Sequence, residues 1–126
     1  MKFAKIVFYV AGIYGLFVLT PMLLWETRIG VENPPAITHA EYFYGFLTLG
    51  IAWQVMFLVI ASNPLRYRMA MLPSMIEKFG FGIAALMLYT QDRLPAPVAL
   101  GATIDQILGA LFVAAFVVTR KSEQQT

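Results

Sequence analysis

The sequence predicts an all-α fold, a transmembrane four-helix bundle with both termini in the cytoplasm. Hydrophobic residues make up 60% of the 126 residues and charged residues only 13%, whereas soluble domains average about half apolar and a quarter charged. Four apolar segments approach or exceed the ~20 residues that a helix needs to cross a bilayer. Lysine and arginine gather on one side of these segments, as they do on the cytoplasmic side of membrane proteins.

The four spans are predicted over residues 3–25, 42–61, about 74–91 and 97–119. The first has the basic start and apolar body of a signal peptide, but its apolar region is longer than the usual ~7–15 residues and has no obvious small-x-small cleavage site. We therefore expect a retained first span. Residues 1–126 then form a single integral membrane domain, with no room for a separate soluble catalytic domain.

Proline and asparagine mark the connections between the spans. The segments are "ENPPAIT" (32–38), "SNPLRYR" (62–68) and "QDRLPAP" (91–97). Proline has no backbone N–H to donate within a helix and restricts the residue before it, so such clusters indicate loops. Each apolar segment is therefore expected to be a separate helix.

The distribution of positive charge predicts the orientation. With four spans both termini share one side, and only two basic residues, Arg28 and Arg93, fall on the other side. The seven on the side of the termini are Lys2, Lys5, Arg66, Arg68, Lys78, Arg120 and Lys121. Positive charge marks cytoplasmic loops, so we expect both termini to be cytoplasmic; in a bacterium the protein would then lie in the inner membrane, with loops one and three facing the periplasm.

Several function classes are disfavoured by what the sequence lacks. Zero cysteines exclude disulfides, thiolate metal sites and a cysteine nucleophile. Basic residues are spread along the chain instead of forming a patch, so no nucleic-acid partner is predicted. His39 is the single histidine, and "HAE" (39–41) offers two ligands at best where zinc sites use three or four. With no nucleophile–base arrangement or nucleotide loop, a non-enzymatic protein is favoured.

The stretch "GATIDQILGA" (101–110) places an acid in the fourth span. Gly101, Asp105 and Gly109 recur at i, i+4 and i+8 and share one stripe of the helix. Asp105 lies eight residues beyond Pro97, about 12 Å along the helix. A charge facing lipid there is penalised by roughly 2.5–3.5 kcal/mol. We therefore expect Asp105 to be buried in the bundle, with a partner or a proton.

Two interpretations of Asp105 remain open. In the first, the ionisable groups of the outer half converge on an outward-facing polar pocket with Asp105 at its floor. Its candidates are Asp105, Gln106, Glu41, His39, Arg93, Glu26 and Arg28. In the second, Asp105 makes one structural hydrogen bond or ion pair, and the others are solvated interfacial residues.

Small residues indicate where the helices touch, because transmembrane helices associate through close packing. Two pairs at i and i+4 are predicted to face neighbours: Ala11 with Gly15, and Gly80 with Ala84. Glu41 begins a stripe of the second span that is also predicted to face a helix, with Gly45, Thr48 and Ala52. Gln54 lies on the opposite side of that span, where interhelical hydrogen bonding is expected.

Glu77 and Lys78 form a charged pair near the start of the third span. "SMIE" (74–77) resembles a capping box, in which Ser74 caps the helix and the Glu77 side chain returns to the Ser74 backbone. Lys78 would then extend its amine toward the cytoplasmic headgroups. The alternative is an acidic site that works with Arg66 and Arg68, gripping a lipid phosphate or a partner. The two arginines alone are expected to bind anionic headgroups.

At "NPLRYRMAMLPSMIEKFGFG" (63–82), followed by "IDQILGALFVAAF" (104–116), the chain resembles small four-span bacterial membrane proteins of the DoxX-like type. The likeness covers the general layout of most of the chain. It implies a four-helix membrane bundle, and the broad grouping is linked to respiratory or redox functions. No catalytic residue carries over, because these positions match no defined catalytic motif.

Two functions follow as expectations. The first is a non-enzymatic accessory or assembly subunit that packs against other membrane subunits, or against itself, within a larger complex. The alternative is a small-molecule, quinone or lipid-binding protein, a transporter or redox component that uses the pocket around Asp105. No cofactor is predicted, although the alternative would hold a bound lipid or quinone, and membrane lipid is a partner in both.

Overall fold

Helices account for most of the chain. The computed structural model describes residues 2–124, with side chains as far as residue 120, and this part contains helices and no strand. The elements are α1 (Lys2–Met22), α2 (Glu26–Glu32), α3 (Ala40–Ser62), a single 3-10 turn (Arg68–Ala70), α4 (Met71–Thr90) and α5 (Ala96–Gln124). The predicted all-α fold is confirmed.

Within residues 2–124, four helices are long and apolar enough to cross a membrane. They cover Lys2–Met22, Ala40–Ser62, Arg68–Thr90 and Ala96–Arg120. Large apolar side chains point away from the bundle, among them Phe17, which is 78% exposed, and Ile76, which is 72% exposed. A soluble domain would bury most such surface, whereas a bilayer solvates it. The predicted number of helices long and apolar enough to span a membrane is confirmed for the described residues, and these helices suggest an integral membrane protein.

The four long helices form two antiparallel hairpins. In the first, α1 packs along α3; in the second, α4 packs along α5. The hairpins meet mainly where α1 contacts α5, whereas α3 and α4 touch each other little. We call the end where α1 begins and α5 ends the terminal end, and the opposite end, with the α1–α3 and α4–α5 connections, the loop end. The hairpins are therefore joined along one seam.

Three phenylalanine rings close the seam toward the terminal end. The rings of Phe8 and Phe112 stack with centroids 4.2 Å apart, and Phe57 meets them edge-on at 6.0 and 5.0 Å. All three side chains are fully buried. Offset stacks and edge-to-face contacts are the favoured geometries of aromatic pairs. This ring cluster of Phe8, Phe57 and Phe112 holds α1, α3 and α5 together, whereas the two hairpins are less tightly packed against each other at the loop end.

Glycines set the close approach within each hairpin. A Cβ on Gly12 would lie 2.9 Å from the backbone oxygen of Gln54, and one on Gly15 would collide with the Gln54 side chain. Ala11 and Gly15 are both buried, so the predicted contact face of α1 is confirmed. Because these glycines contribute no side chain of their own, α3 packs directly against the backbone of α1, as in small-residue transmembrane interfaces.

The predicted contact face of the third span is wrong. Gly80 and Ala84 are exposed, and a Cβ on Gly80 would meet nothing within 4 Å. Gly82 faces α5 instead, next to the Gln106 side chain, and the Phe79 ring packs on Gly109. Small residues lie on two sides of α4, so spacing alone could not select between them.

The predicted contact face of the second span also differs. Glu41, Gly45, Thr48 and Ala52 are all exposed, whereas Gln54 on the opposite side is buried. Thr48 donates to the backbone oxygen of Tyr44 at 2.8 Å and so has a partner within its own helix. α3 is therefore packed on one side only within this chain.

Two differences from the predicted helices are the start of α4 and the presence of α2. Helix α4 begins at Met71, three residues before Ser74, whose hydroxyl donates to the Ala70 carbonyl at 2.7 Å. The predicted capping box is therefore wrong. Pro73 does not delay the helix, because the first turn has no partner for the N–H that proline lacks. The short helix α2 was not predicted, since seven residues carry too little periodicity to be recognised.

Arg68 ties the α3–α4 connection to α5. Its guanidinium donates to the Phe116 carbonyl at 2.8 and 3.2 Å and to the Thr119 hydroxyl at 3.1 Å, and lies 3.7 Å from the centre of the Phe116 ring. Arg66 is exposed, and its guanidinium lies 5.5 Å from the Tyr67 ring. The two arginines therefore have different surroundings, although they were predicted to act together.

Candidate functional site

A cavity of about 300 Å³ lies between the two hairpins in the half of the bundle nearest the loop end. All four long helices contribute to it, and its wall is mostly apolar. It is lined by Tyr14, Gly15, Val18, Leu19 and Met22 of α1, Phe46, Gly50 and Gln54 of α3, Glu77, Lys78 and Phe81 of α4, and Pro97, Val98, Gly101 and Asp105 of α5. The cavity follows from the fold, since the hairpins are closed at the ring cluster and α3 and α4 pack little beyond it.

Polar groups occupy only the deep end of the cavity. From the loop end inward, α4 contributes Phe81 and then Lys78 and Glu77, and α5 contributes Pro97 and then Asp105. On α3 the order is Phe46, then Gln54. We call the set of Glu77, Lys78, Asp105 and Gln54 the polar floor. The cavity is thus amphipathic along its length, with an apolar wall above a charged base.

Lys78 is the centre of the polar floor. Its Nζ lies 3.3 Å from Asp105 Oδ1, to which it donates a hydrogen bond, and 3.6 Å from Glu77 Oε2. The same ammonium lies 5.2 Å from the centre of the Phe57 ring, within the range of a cation–π contact. Its side chain is only 3% exposed, compared with 15% for Asp105 and 20% for Glu77.

The prediction that Lys78 reaches the headgroups is therefore wrong. Lys78 lies seven residues into α4, about 10 Å from the start of the helix. Two carboxylates lie within 4 Å of its amine. A buried ammonium is stabilised by such partners far more than by a distant interface, so its side chain turns inward.

Gln54 brings an unpaired acceptor to the polar floor. Its Nε2 donates to the Gly50 carbonyl of the preceding turn at 3.0 Å. Its Oε1 is buried against the backbone of Gly15, and no donor among the described residues reaches it. Glu77 Oε2 likewise accepts no hydrogen bond there, although it lies in the ion pair with Lys78. Buried acceptors without donors are uncommon and call for a partner.

The pocket candidates of the sequence do not all meet in this cavity. Asp105 lines it, whereas the other six are absent from its lining. Gln106 contacts α4 outside the cavity, and its Nε2 donates to the Phe79 carbonyl at 3.4 Å. Arg93 donates to the Gln91 side chain at 3.1 Å in the exposed α4–α5 connection.

The remaining four candidates lie around α2 and the start of α3. Tyr44 donates to Glu26 at 3.0 Å, and Arg28 pairs with Glu32 at 2.9 Å. His39 Nδ1 lies 3.2 Å from Glu41 Oε1, with both side chains about two-thirds exposed. Among the described residues, no three histidine, cysteine or carboxylate side chains come together as metal ligands would. These pairs form a polar rim at the loop end, outside the cavity.

Sequence reasoning assigned Glu77 and Lys78 to the membrane surface and Gln54 to an interhelical hydrogen bond, and so missed three of the four residues of the polar floor. The available signal was that the third span contains a lysine, Lys78, and the fourth span an aspartate, Asp105. The two spans are consecutive and are therefore antiparallel neighbours. A charge on each of two packed helices is more stable facing the other helix than facing lipid.

A comparison with family models, with curated proteins and with solved structures found no match to this chain. The function is therefore inferred from the chemical groups that line the cavity. The polar floor contains carboxylates, an ammonium and an amide, which bind and orient polar groups. The apolar wall excludes water and suits a hydrocarbon or aromatic body.

Proposed function

We propose that this chain is a membrane-embedded binding protein for a small amphiphilic molecule. The apolar part of that molecule fills the wall of the cavity, and its polar end contacts the polar floor. One observation carries the proposal: the charged and amide groups of the cavity all lie at its deep end, below an apolar wall contributed by four helices.

The size and composition of the cavity support this function. A volume of about 300 Å³ lies at the lower end of the range of roughly 300–1,000 Å³ for small-molecule sites. Such sites are mostly apolar and use a few polar groups to fix orientation. A quinone ring or a short lipid chain has the matching shape, and the protein would hold it as a carrier or redox component does.

The proposal extends to orientation and location. With both termini in the cytoplasm of a bacterial inner membrane, the loop end faces outward, and the cavity lies in the outer half of the bilayer. The excess of lysine and arginine on the side of the termini supports this orientation. The bound molecule would then exchange with the outer leaflet.

A cavity-filling variant tests the proposed function. Gly101 lines the cavity, and a Cβ there meets nothing within 4 Å, so Gly101→Leu fills the space without a clash of its first atom. Gly80→Leu is the matched control, because Gly80 has equally open surroundings but lies outside the cavity lining.

The measurement is native mass spectrometry after gentle detergent extraction. We expect the wild type and Gly80→Leu to carry a lipophilic molecule and Gly101→Leu to have lost it. Wild-type protein without any bound molecule, or equal retention by Gly101→Leu, would contradict the proposal.

A second candidate is the accessory or assembly subunit. Exposed glycines on two helices favour it, since Gly45 and Gly80 leave open surface where a foreign helix could approach closely. The same native mass measurement should then find the chain bound to other subunits, whereas a chain without protein partners would count against this candidate. The resemblance to DoxX-like proteins stays a prediction and favours neither candidate.

A further inference from the structure

The polar floor carries an excess of negative charge. Glu77 and Asp105 contribute two carboxylates and Lys78 one ammonium, so full ionisation leaves a formal charge of −1. Helix α1 adds Tyr14, which is neutral at neutral pH, and α3 adds only the uncharged Gln54 and Phe57. No other charged side chain is among the lining residues. An unbalanced charge is costly in so apolar a place.

The ammonium of Lys78 is already shared between two partners. It lies within 4 Å of a carboxylate on each side, at 3.3 and 3.6 Å. An anionic ligand would therefore have to compete with both carboxylates and would be repelled by them. A cationic ligand would instead be attracted by the carboxylates, because it pairs with the negative charge that Lys78 leaves unbalanced.

A further feature of the polar floor favours a cation that donates hydrogen bonds. Gln54 Oε1 and Glu77 Oε2 are buried acceptors that receive no hydrogen bond within the described chain. An N–H donor satisfies a buried acceptor. The rings of Phe46 and Phe81, 5.6 Å apart, line the cavity nearer the loop end and suit the apolar body of the ligand.

We propose that the cavity selects a monocationic amphiphile, a lipophilic amine whose ammonium head contacts Glu77, Asp105 and Gln54. The proposal rests on the proposed function and names the class of its ligand. Acidic solution should weaken binding, because a proton on either carboxyl removes the negative charge with which the cation pairs.

Three probes with one tail test the charge selectivity. They are hexylammonium, 1-hexanol and hexylsulfonate, which carry the charges +1, 0 and −1. Binding is measured by isothermal titration calorimetry on the full chain in nanodiscs of phosphatidylcholine, which has no net charge, with empty nanodiscs as the blank. We expect hexylammonium to bind about tenfold or more tightly than either of the other probes.

A carboxylate variant locates the effect. Glu77→Gln removes one negative charge and leaves the ion pair of Lys78 with Asp105 in place. We expect it to weaken hexylammonium about tenfold or more and to leave 1-hexanol unchanged. Glu41→Gln is the control, because Glu41 is an exposed carboxylate outside the cavity.

The outcomes separate this inference from the proposed function. Tighter or equal binding of 1-hexanol or hexylsulfonate, blocked by Gly101→Leu, would overturn the cation selectivity and leave the binding function standing. An unchanged hexylammonium affinity in Glu77→Gln would overturn it as well. If none of the three probes binds and the purified chain carries no lipophilic molecule, both proposals fail. The wild-type comparison needs no variant and is decisive even if Glu77→Gln does not fold.

Discussion

Replacement of Lys78 with methionine removes the positive charge of the polar floor while keeping a long, unbranched side chain. Glu77 and Asp105 would then face each other's charge without the ammonium that lies 3.6 and 3.3 Å from them. Both carboxyl groups are mostly buried, so water can compensate the loss only in part. We expect Lys78→Met to be the most destabilising single change in this site.

The magnitude follows from these distances. At an effective dielectric constant of about 20, charges separated by 3.3 Å attract by about 5 kcal/mol. Desolvation of the partners offsets much of this attraction, and loss of one partner from a buried pair costs about 3–5 kcal/mol in proteins. The side chains of Asp105 and Glu77 remain 15% and 20% exposed, and either carboxyl can take up a proton. We therefore expect the free energy of unfolding to fall by about 3 kcal/mol.

The assay is unfolding of the purified chain in mixed micelles, by titration of sodium dodecyl sulfate into dodecyl maltoside and with circular dichroism as the readout. Lys5→Met is the matched control, since Lys5 is exposed. A charge-free variant, combining Lys78→Met with Glu77→Gln and Asp105→Asn, should recover to within about 1 kcal/mol of wild type, because no unpaired charge then stays buried.

Two results would refute this reasoning. If Lys78→Met costs no more than Lys5→Met, the ion pairs at the polar floor contribute nothing to stability. If the charge-free variant is as unstable as Lys78→Met, the loss comes from packing of the lysine stem and not from unpaired carboxylates.

The other predictions concern the terminal end and the orientation. Arg68→Lys should lower the free energy of unfolding by about 1–2 kcal/mol, because a lysine cannot reproduce the forked contacts to Phe116 and Thr119. Arg66→Lys is the control, and an equal effect of both substitutions would contradict the role of Arg68. The chain has no cysteine, so Thr38→Cys should react with a membrane-impermeant maleimide on intact cells and Ser62→Cys should not; the reverse pattern would contradict cytoplasmic termini.

The sequence was sufficient to predict the spans, because the length of an apolar segment directly reflects the thickness of the bilayer. The position of Asp105 along its helix could also be predicted, since a helix advances by a fixed rise per residue. Both depend on local properties of the chain. The structure keeps all four predicted segments and shifts most of their boundaries by a few residues.

The ion-pair partner of Asp105, Lys78, could not be predicted from the sequence in the same way. A lysine near the start of a span can extend to the headgroups or turn into the bundle, and the choice depends on which face of α4 meets α5. Small residues could not decide that face, because Gly80 and Gly82 point to different sides of the same helix. The rotation of a helix about its axis is a tertiary property, fixed here by contacts such as Phe79 on Gly109.

The location of the ion pairs within a single hairpin has a consequence for how the chain enters the membrane. Helix α4 alone would expose Glu77 and Lys78 to hydrocarbon, and α5 alone would expose Asp105, each at a cost of a few kcal/mol. Entering together, the two helices neutralise most of that charge before either meets lipid. We therefore expect α4 and α5 to leave the translocon as a pair, whereas α1 and α3, which carry no charge at that depth, can be released one after the other.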